Sequence, residues 1–116
     1  MPPYIYIHID PGARTLLYVG LGGYRDRYME FTNRGQLHKA RLLGLLKQGF
    51  TKAQIAHIVA ESLRWQAADN LEKALIEHFW PPFNIVGRPE WRENMRKPSG
   101  QRRNGVQFLS QLSPGL

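Results

Sequence analysis

Apolar and polar residues alternate without a break from Tyr4 to Asp10, with Ile5, Ile7 and Ile9 on one side and Tyr4, Tyr6, His8 and Asp10 on the other. Such alternation predicts a strand with one face buried and one half-solvated, where His8 would sit exposed beside Tyr6. Asp10-Pro11-Gly12 carries turn chemistry, because Pro presets φ and Gly accepts a positive φ. Thr15 to Val19 then returns as a second strand. A turn closing between Asp10 and Arg14 would set Ile5 against Val19, Ile7 against Leu17 and Tyr6 directly opposite Tyr18.

Helical spacing follows. Tyr24, Tyr28 and Phe31 mark a short helix over about 24–31, broken by Thr32-Asn33. A second helix is expected from Gly35 to Gln48, carrying Leu37, Leu42, Leu45 and Leu46 and stopped by Gly49. Phe50 to Glu61 reads either as a helix, part of a helix-turn-helix, or as a strand with Ile55, His57 and Val59 on one face. The strand is preferred, since a lone hairpin is marginal in water and needs a third strand. Leu63 to Phe79 is a helix with the stripe Ala68, Leu71, Leu75 and Phe79, ended by Trp80-Pro81-Pro82. Phe83 to Val86 is expected to be extended.

Composition narrows the function. The chain has 116 residues, enough for one domain and too few for two. It has no cysteine, which excludes a disulfide framework and thiolate metal sites. No apolar run is long enough to span a membrane, and Met1-Pro2-Pro3 leads into the strand without a signal-peptide core, so an intracellular home is expected. The net charge is +7, and eleven of the sixteen cations are arginine, a balance that favours an anionic partner, nucleic acid first. Arg88, Arg92, Arg96, Lys97, Arg102 and Arg103 gather after Gly87 against only Glu90 and Glu93.

Two residues sit oddly for a plain core. Glu72 lies beside the stripe formed by Leu75, Ile76 and Phe79, where a carboxylate needs a pairing partner, hydrogen bonds or a metal. Arg27 lies between Tyr24 and Phe31 and is poised to face inward.

Together these features resemble the GIY-YIG nuclease superfamily. Tyr4-Ile5-Tyr6 stands where that family has Gly-Ile-Tyr, and Tyr18-Val19-Gly20 where it has Tyr-Ile-Gly. The run Leu71-Glu72-Lys73-Ala74-Leu75-Ile76, followed by Asn84 after Pro81-Pro82, is similar to its second half. The resemblance covers about 4–86. It implies an α+β fold, a three-stranded antiparallel sheet flanked by helices, as a nuclease domain over 1–86 with a basic extension over 87–116.

It also implies a DNA endonuclease that hydrolyses phosphodiester bonds with one Mg²⁺ or Mn²⁺ ion. Glu72 would hold the metal, Arg27 would bind the phosphoryl oxygens, Tyr6 and Tyr18 would orient or deprotonate water, and Asn84 would hold a tyrosine or the Glu72 region in place. A phenol titrates near 10 and would need a lowered pKa, so a tyrosine base predicts activity that rises into the alkaline range. Many members carry a Lys after the second motif or a His one turn after the Arg. Leu21 and Phe31 occupy those places, so that either His8 or His38 serves as the second basic group or nothing does. The distance from Tyr18 to Arg27 is one residue short of the commonest arrangement, so Arg25 rivals Arg27. Arg25, His38 and the basic extension would contact DNA phosphates. A homodimer is open, because cutting both strands needs two sites or two visits. The competing readings are a nucleic-acid binder of the same fold without catalysis, and a helix-turn-helix regulator built on 37–60.

Overall fold

A computed structural model describes residues 1–85 together with Arg96 and Lys97. Three strands form one antiparallel sheet: β1 (Tyr4–Asp10), β2 (Thr15–Gly22) and β3 (Ala56–Ala60), in the spatial order β2-β1-β3. Among the described residues four helices accompany it: α1 (Gln36–Lys47), α2 (Lys52–Ile55), α3 (Trp65–Phe79) and α4 (Pro82–Ile85). The expected α+β architecture with a three-stranded antiparallel sheet is therefore present. No described helix is long and apolar enough to cross a membrane.

The central position of β1 overturns the half-solvated face. All seven of its residues are buried, His8 completely. Ile5, Ile7 and Ile9 join Leu16 and Val19 against Ala68, Leu71, Leu75 and Phe79 of α3. The opposite face is closed by Leu17, Phe31, Leu42, Leu45, Ile55 and Ala56, with Phe83 packed alongside. Helices thus cover both faces of a sheet whose polar β1 residues must find partners inside the protein.

The hairpin register also differs. Arg14 N–H does donate to Asp10 C=O at 2.8 Å, but Asp10 lies opposite Thr15, and Arg14 takes a left-handed φ of 57°. A bulge between His8 and Ile9 in the pairing then leaves Leu17 unopposed, so Tyr6 faces Gly20 and His8 faces Tyr18. A two-residue slip preserves the side-chain faces, whereas a one-residue slip would reverse them. Ile7 therefore still meets an apolar partner, Val19, while Leu17 turns to the second core. Asp10 holds the turn by accepting from Gly12 and Ala13 N–H and by pairing with Arg41 at 2.6 Å.

Three local expectations are corrected. The helix over 24–31 is only a 3-10 turn, Arg27–Met29, and Tyr24 is exposed. Its loop is held by side chains instead, as described below. Phe50 to Glu61 is neither wholly helix nor wholly strand. Thr51 and Gln54 form a reciprocal capping box around α2, and β3 begins one residue later. Ile55 is accordingly buried in a helical turn while Val59 is exposed on β3, so Ile55, His57 and Val59 do not share a face. Phe83 to Ile85 belong to the helical turn α4, not to an extended segment. The helices expected over 35–48 and 63–79 are present, and Gly49 closes the first with a φ of +101°. Of α1's apolar residues Leu42 and Leu45 are buried, whereas Leu37 is exposed.

Candidate active site: stacked rings beside an arginine-lined cleft

Gly20 shapes the site first. Opposite it, the ring of Tyr6 occupies the space a side chain would need: a Cβ at Gly20 would lie 2.5 Å from Tyr6 Oη and 2.7 Å from Cε1. Gly22 does the same for Tyr4. With that clearance, Tyr6 stacks on Tyr18 from the neighbouring register position, centroids 6.0 Å apart and planes within 10°. The stack continues: Tyr18 lies against His38 of α1 at 4.5 Å, and His38 against Phe83 of α4 at 5.0 Å. The two phenols expected to be neighbours are therefore together, as a diagonal pair.

Arg34 binds this stack to the preceding loop. Its Nη1 donates to Tyr6 Oη at 2.6 Å, its Nε to Glu30 C=O at 2.7 Å and its Nη2 to Arg27 C=O at 2.7 Å. The guanidinium also lies 5.3 and 5.5 Å from the ring centroids of Tyr6 and Tyr18. These bonds hold the 27–34 segment without a regular helix. Sequence reading missed Arg34, because a loop arginine before Gly35 has no periodicity to set it apart.

Beside the stack opens a cleft of about 440 Å³ lined by Tyr18, Arg27, Arg34, the start of α1 from Gly35 to His38, and Phe83. Arg27 is half-buried there. Its Nη1 is engaged by Glu30 at 3.1 Å and by Asn33 C=O at 3.1 Å, which leaves Nε and Nη2 uncommitted among the described residues. Arg25 is exposed and lines a separate cleft of about 350 Å³ with Tyr4, Tyr28 and Ile58. Of the two rivals, it is Arg27 that lies with Tyr18.

His8 and His38 are brought together by the fold. His8 Nδ1 and His38 Nε2 are 3.0 Å apart, and His8 Nε2 is 2.8 Å from Tyr28 C=O. Burial lowers both: His8 to about 4, with the Arg34 and Arg27 charges adding to the effect, and His38 to about 3, where His8 is the next cause. Burial pushes the Tyr18 phenol up, Tyr6 adds to this, and the opposing charges of Arg34 and Arg27 do not reverse it. That direction is opposite to the lowering a phenolate base requires, which a nearby cation would have to supply.

Glu72 and Asn84 meet the outer edge of β2. Asn84 Oδ1 accepts from Val19 N–H and its Nδ2 donates to Val19 C=O, both at 2.8 Å, so its amide pairs with Val19 as a neighbouring strand would. That grip lies next to Tyr18 in the chain, and it holds β2 and not Glu72. Glu72 is half-buried on α3, and burial raises its carboxyl, with Asp69 as the next cause and the backbone of Leu21 opposing both. Its charge reaches Tyr18.

No family model matches this chain, nor does any curated protein or solved structure. Among the described residues no group of three or more His, Cys, Asp or Glu is placed to hold a metal ion. Glu72 alone is compatible with Mg²⁺ or Mn²⁺, since Mg²⁺ commonly takes one or two carboxylates and completes its shell with water and phosphate oxygens. A cation there would also offset the desolvation of a carboxylate held half out of water. Arg96 and Lys97 are exposed, whereas Arg88, Arg92, Arg102, Arg103 and the rest of the basic extension lie outside the described residues.

Proposed function

We propose that this protein is a phosphodiester hydrolase acting on DNA, of the GIY-YIG kind, with the cleft beside Tyr18 receiving the backbone phosphate. The observation that carries the proposal is the convergence of Arg27, Arg34 and Tyr18 on one cleft, with Tyr6 stacked on Tyr18 and bonded to Arg34 behind it. Two guanidinium groups beside stacked phenols suit an anionic, tetrahedral group flanked by a water. The net charge of +7 adds attraction for any polyanion.

In this reading Arg27 binds the non-bridging oxygens through Nε and Nη2, the donors its ties to Glu30 and Asn33 leave over. Arg34 keeps Tyr6 in place behind Tyr18, so the buried phenol of Tyr6 acts by positioning the stack. Asn84 fixes the strand position of Tyr18 through Val19. Glu72 is not among the residues lining the cleft, though its charge reaches Tyr18; a divalent cation held by Glu72 would supply Lewis-acid polarisation of the phosphoryl group and stabilise the leaving oxygen. Arg25 is assigned no catalytic part.

Plasmid cleavage with Mg²⁺ or Mn²⁺ at pH 7 and 9, comparing the native chain with Glu72→Ala, tests the proposal. Metal-dependent cutting that disappears in the variant supports it, and cutting that survives Glu72→Ala sinks the assignment of the metal ligand. The second reading is nucleic-acid binding without cleavage. It is favoured by the place of Glu72, half-buried beside the Leu21 backbone and outside the lining of the cleft, where the carboxylate has a use at the edge of β2. Retained DNA binding without cutting of duplex, nicked or branched DNA would establish it.

A further inference from the structure

The His8–His38 pair has only one arrangement of protons when both rings are neutral. Tyr28 C=O can only accept, so His8 carries its hydrogen on Nε2 and leaves Nδ1 bare. His38 must then donate to that bare nitrogen from Nε2 and keep its own Nδ1 as a lone pair. This Nδ1 has no partner among the described residues, and none of their buried side-chain nitrogens is both sealed from solvent and unpartnered. Since His38 also lines the cleft, the lone pair opens there.

A lone pair in a cleft flanked by two arginines restricts what can sit against it. A phosphate oxygen would be repelled; only an O–H or N–H can be accepted. With a phosphodiester anion drawn to Arg27 and Arg34 in the same cleft, the group suited to bridge anion and His38 is a water.

We propose that His38 Nδ1 is the proton acceptor for the attacking water, and that His8 is the positioning residue that fixes its tautomer and receives the charge. The inference rests on the hydrolytic reading of the cleft. In the step, the water's O–H bond breaks and a proton joins His38 Nδ1 as the water oxygen forms its bond to phosphorus. His38 passes its Nε2 proton to His8 Nδ1, so His8 becomes the imidazolium and His38 ends as the opposite neutral tautomer. The bond from phosphorus to the leaving oxygen breaks, that oxygen takes a proton from solvent in the open cleft, and the pair later returns its own proton to solvent.

The groups facing the pair come from every neighbouring element. They are Tyr6 and Tyr18 from β1 and β2, His57 from β3, Arg27 and Arg34 from the loop, and the apolar rings of Phe31 and Phe83. The two arginines contribute to holding both rings neutral in the free protein. A bound phosphate offsets those charges, so the substrate itself makes the acceptor more basic. Tyr18, whose phenol is pushed upward, is displaced from this role.

The experiment compares the pH dependence of Mg²⁺-dependent plasmid cleavage, from pH 5 to 9, for the native chain and His38→Gln. Glutamine keeps an N–H for His8 but cannot take a proton, and a urea transition checks that the variant folds. Native cleavage flat from pH 6 to 9, with kcat reduced by about 10²–10⁴ in His38→Gln and KM nearly unchanged, supports the assignment. The variant's residual rate should then climb with pH. A native rate climbing tenfold per pH unit, or an undiminished kcat in the variant, overturns it while leaving the nuclease reading intact. No cleavage by the native chain brings down both. Independently of cutting, ¹⁵N NMR at pH 7 should show His38 protonated at Nε2 and bare at Nδ1, and the reverse tautomer overturns the proposal.

Discussion

Gly20 and Tyr6 face each other across the hairpin, and the phenol ring fills the volume that any other residue at position 20 would claim. From that absence of a side chain follow the Tyr6–Tyr18 stack and the reach of Arg34 to Tyr6 Oη.

Gly20→Ala is expected to destabilise the fold by about 1–3 kcal/mol, the usual cost of forcing bulk into a packed site. Urea denaturation measures it, and a double-mutant cycle identifies the cause. In a Tyr6→Ala background the same change should cost much less, because the ring it strikes is gone. An equal cost in both backgrounds would mean that the clash with Tyr6 is not the reason.

Asn84→Ala should remove both bonds to Val19 and cost about 1–3 kcal/mol, the penalty for stranding part-buried polar groups. Amide hydrogen exchange gives the more specific readout: Val19 N–H should lose protection while Ile7 N–H, within the sheet centre, keeps most of its own. Unchanged exchange at Val19 would show that water replaces the amide at no cost.

The histidine pair makes stability depend on acid. Both rings have folded pKa values below the ordinary 6.5, so the unfolded chain binds protons that the native chain refuses. Their contribution is fully present above about pH 6.5 and is lost as pH falls toward 4 and then 3. For His8 alone the loss is on the order of 3 kcal/mol. Urea midpoints at pH 7, 5.5 and 4.5 should fall steadily in the native chain. The fall should be shallower in the double variant His8→Leu, His38→Phe, and an identical slope would assign the acid sensitivity to carboxylates instead.

On the proposed hydrolytic reading, Arg27 and Arg25 should separate cleanly in cleavage. Arg27→Ala is expected to reduce kcat by about 10²–10³, as for loss of a donor that stabilises developing charge. Arg25→Ala, on the other cleft, should change kcat little and act on DNA affinity in a salt-dependent way. The opposite ranking would move the phosphate to the cleft that Arg25 lines.

The chain's local patterns determined a good deal. Alternation in Tyr4–Asp10, the turn residues Asp10-Pro11-Gly12 and the apolar stripes of α1 and α3 led to the elements found, because each depends on residues a few positions apart. They also singled out Tyr6, Tyr18 and Arg27, which the fold gathers at one site. Tertiary structure decided the rest. The hairpin register depended on a left-handed Arg14 and a bulge at Leu17 that no hydrophobic period encodes. His8 looked exposed because alternation cannot reveal that β3 and a second helical layer close over β1. Its pairing with His38, 30 residues away, and Asn84's grip on Val19, 65 residues away, exist only where the chain has folded back on itself. Arg34 became visible for the same reason: a loop arginine acquires meaning from the phenol and carbonyls that surround it, and those are supplied by the fold.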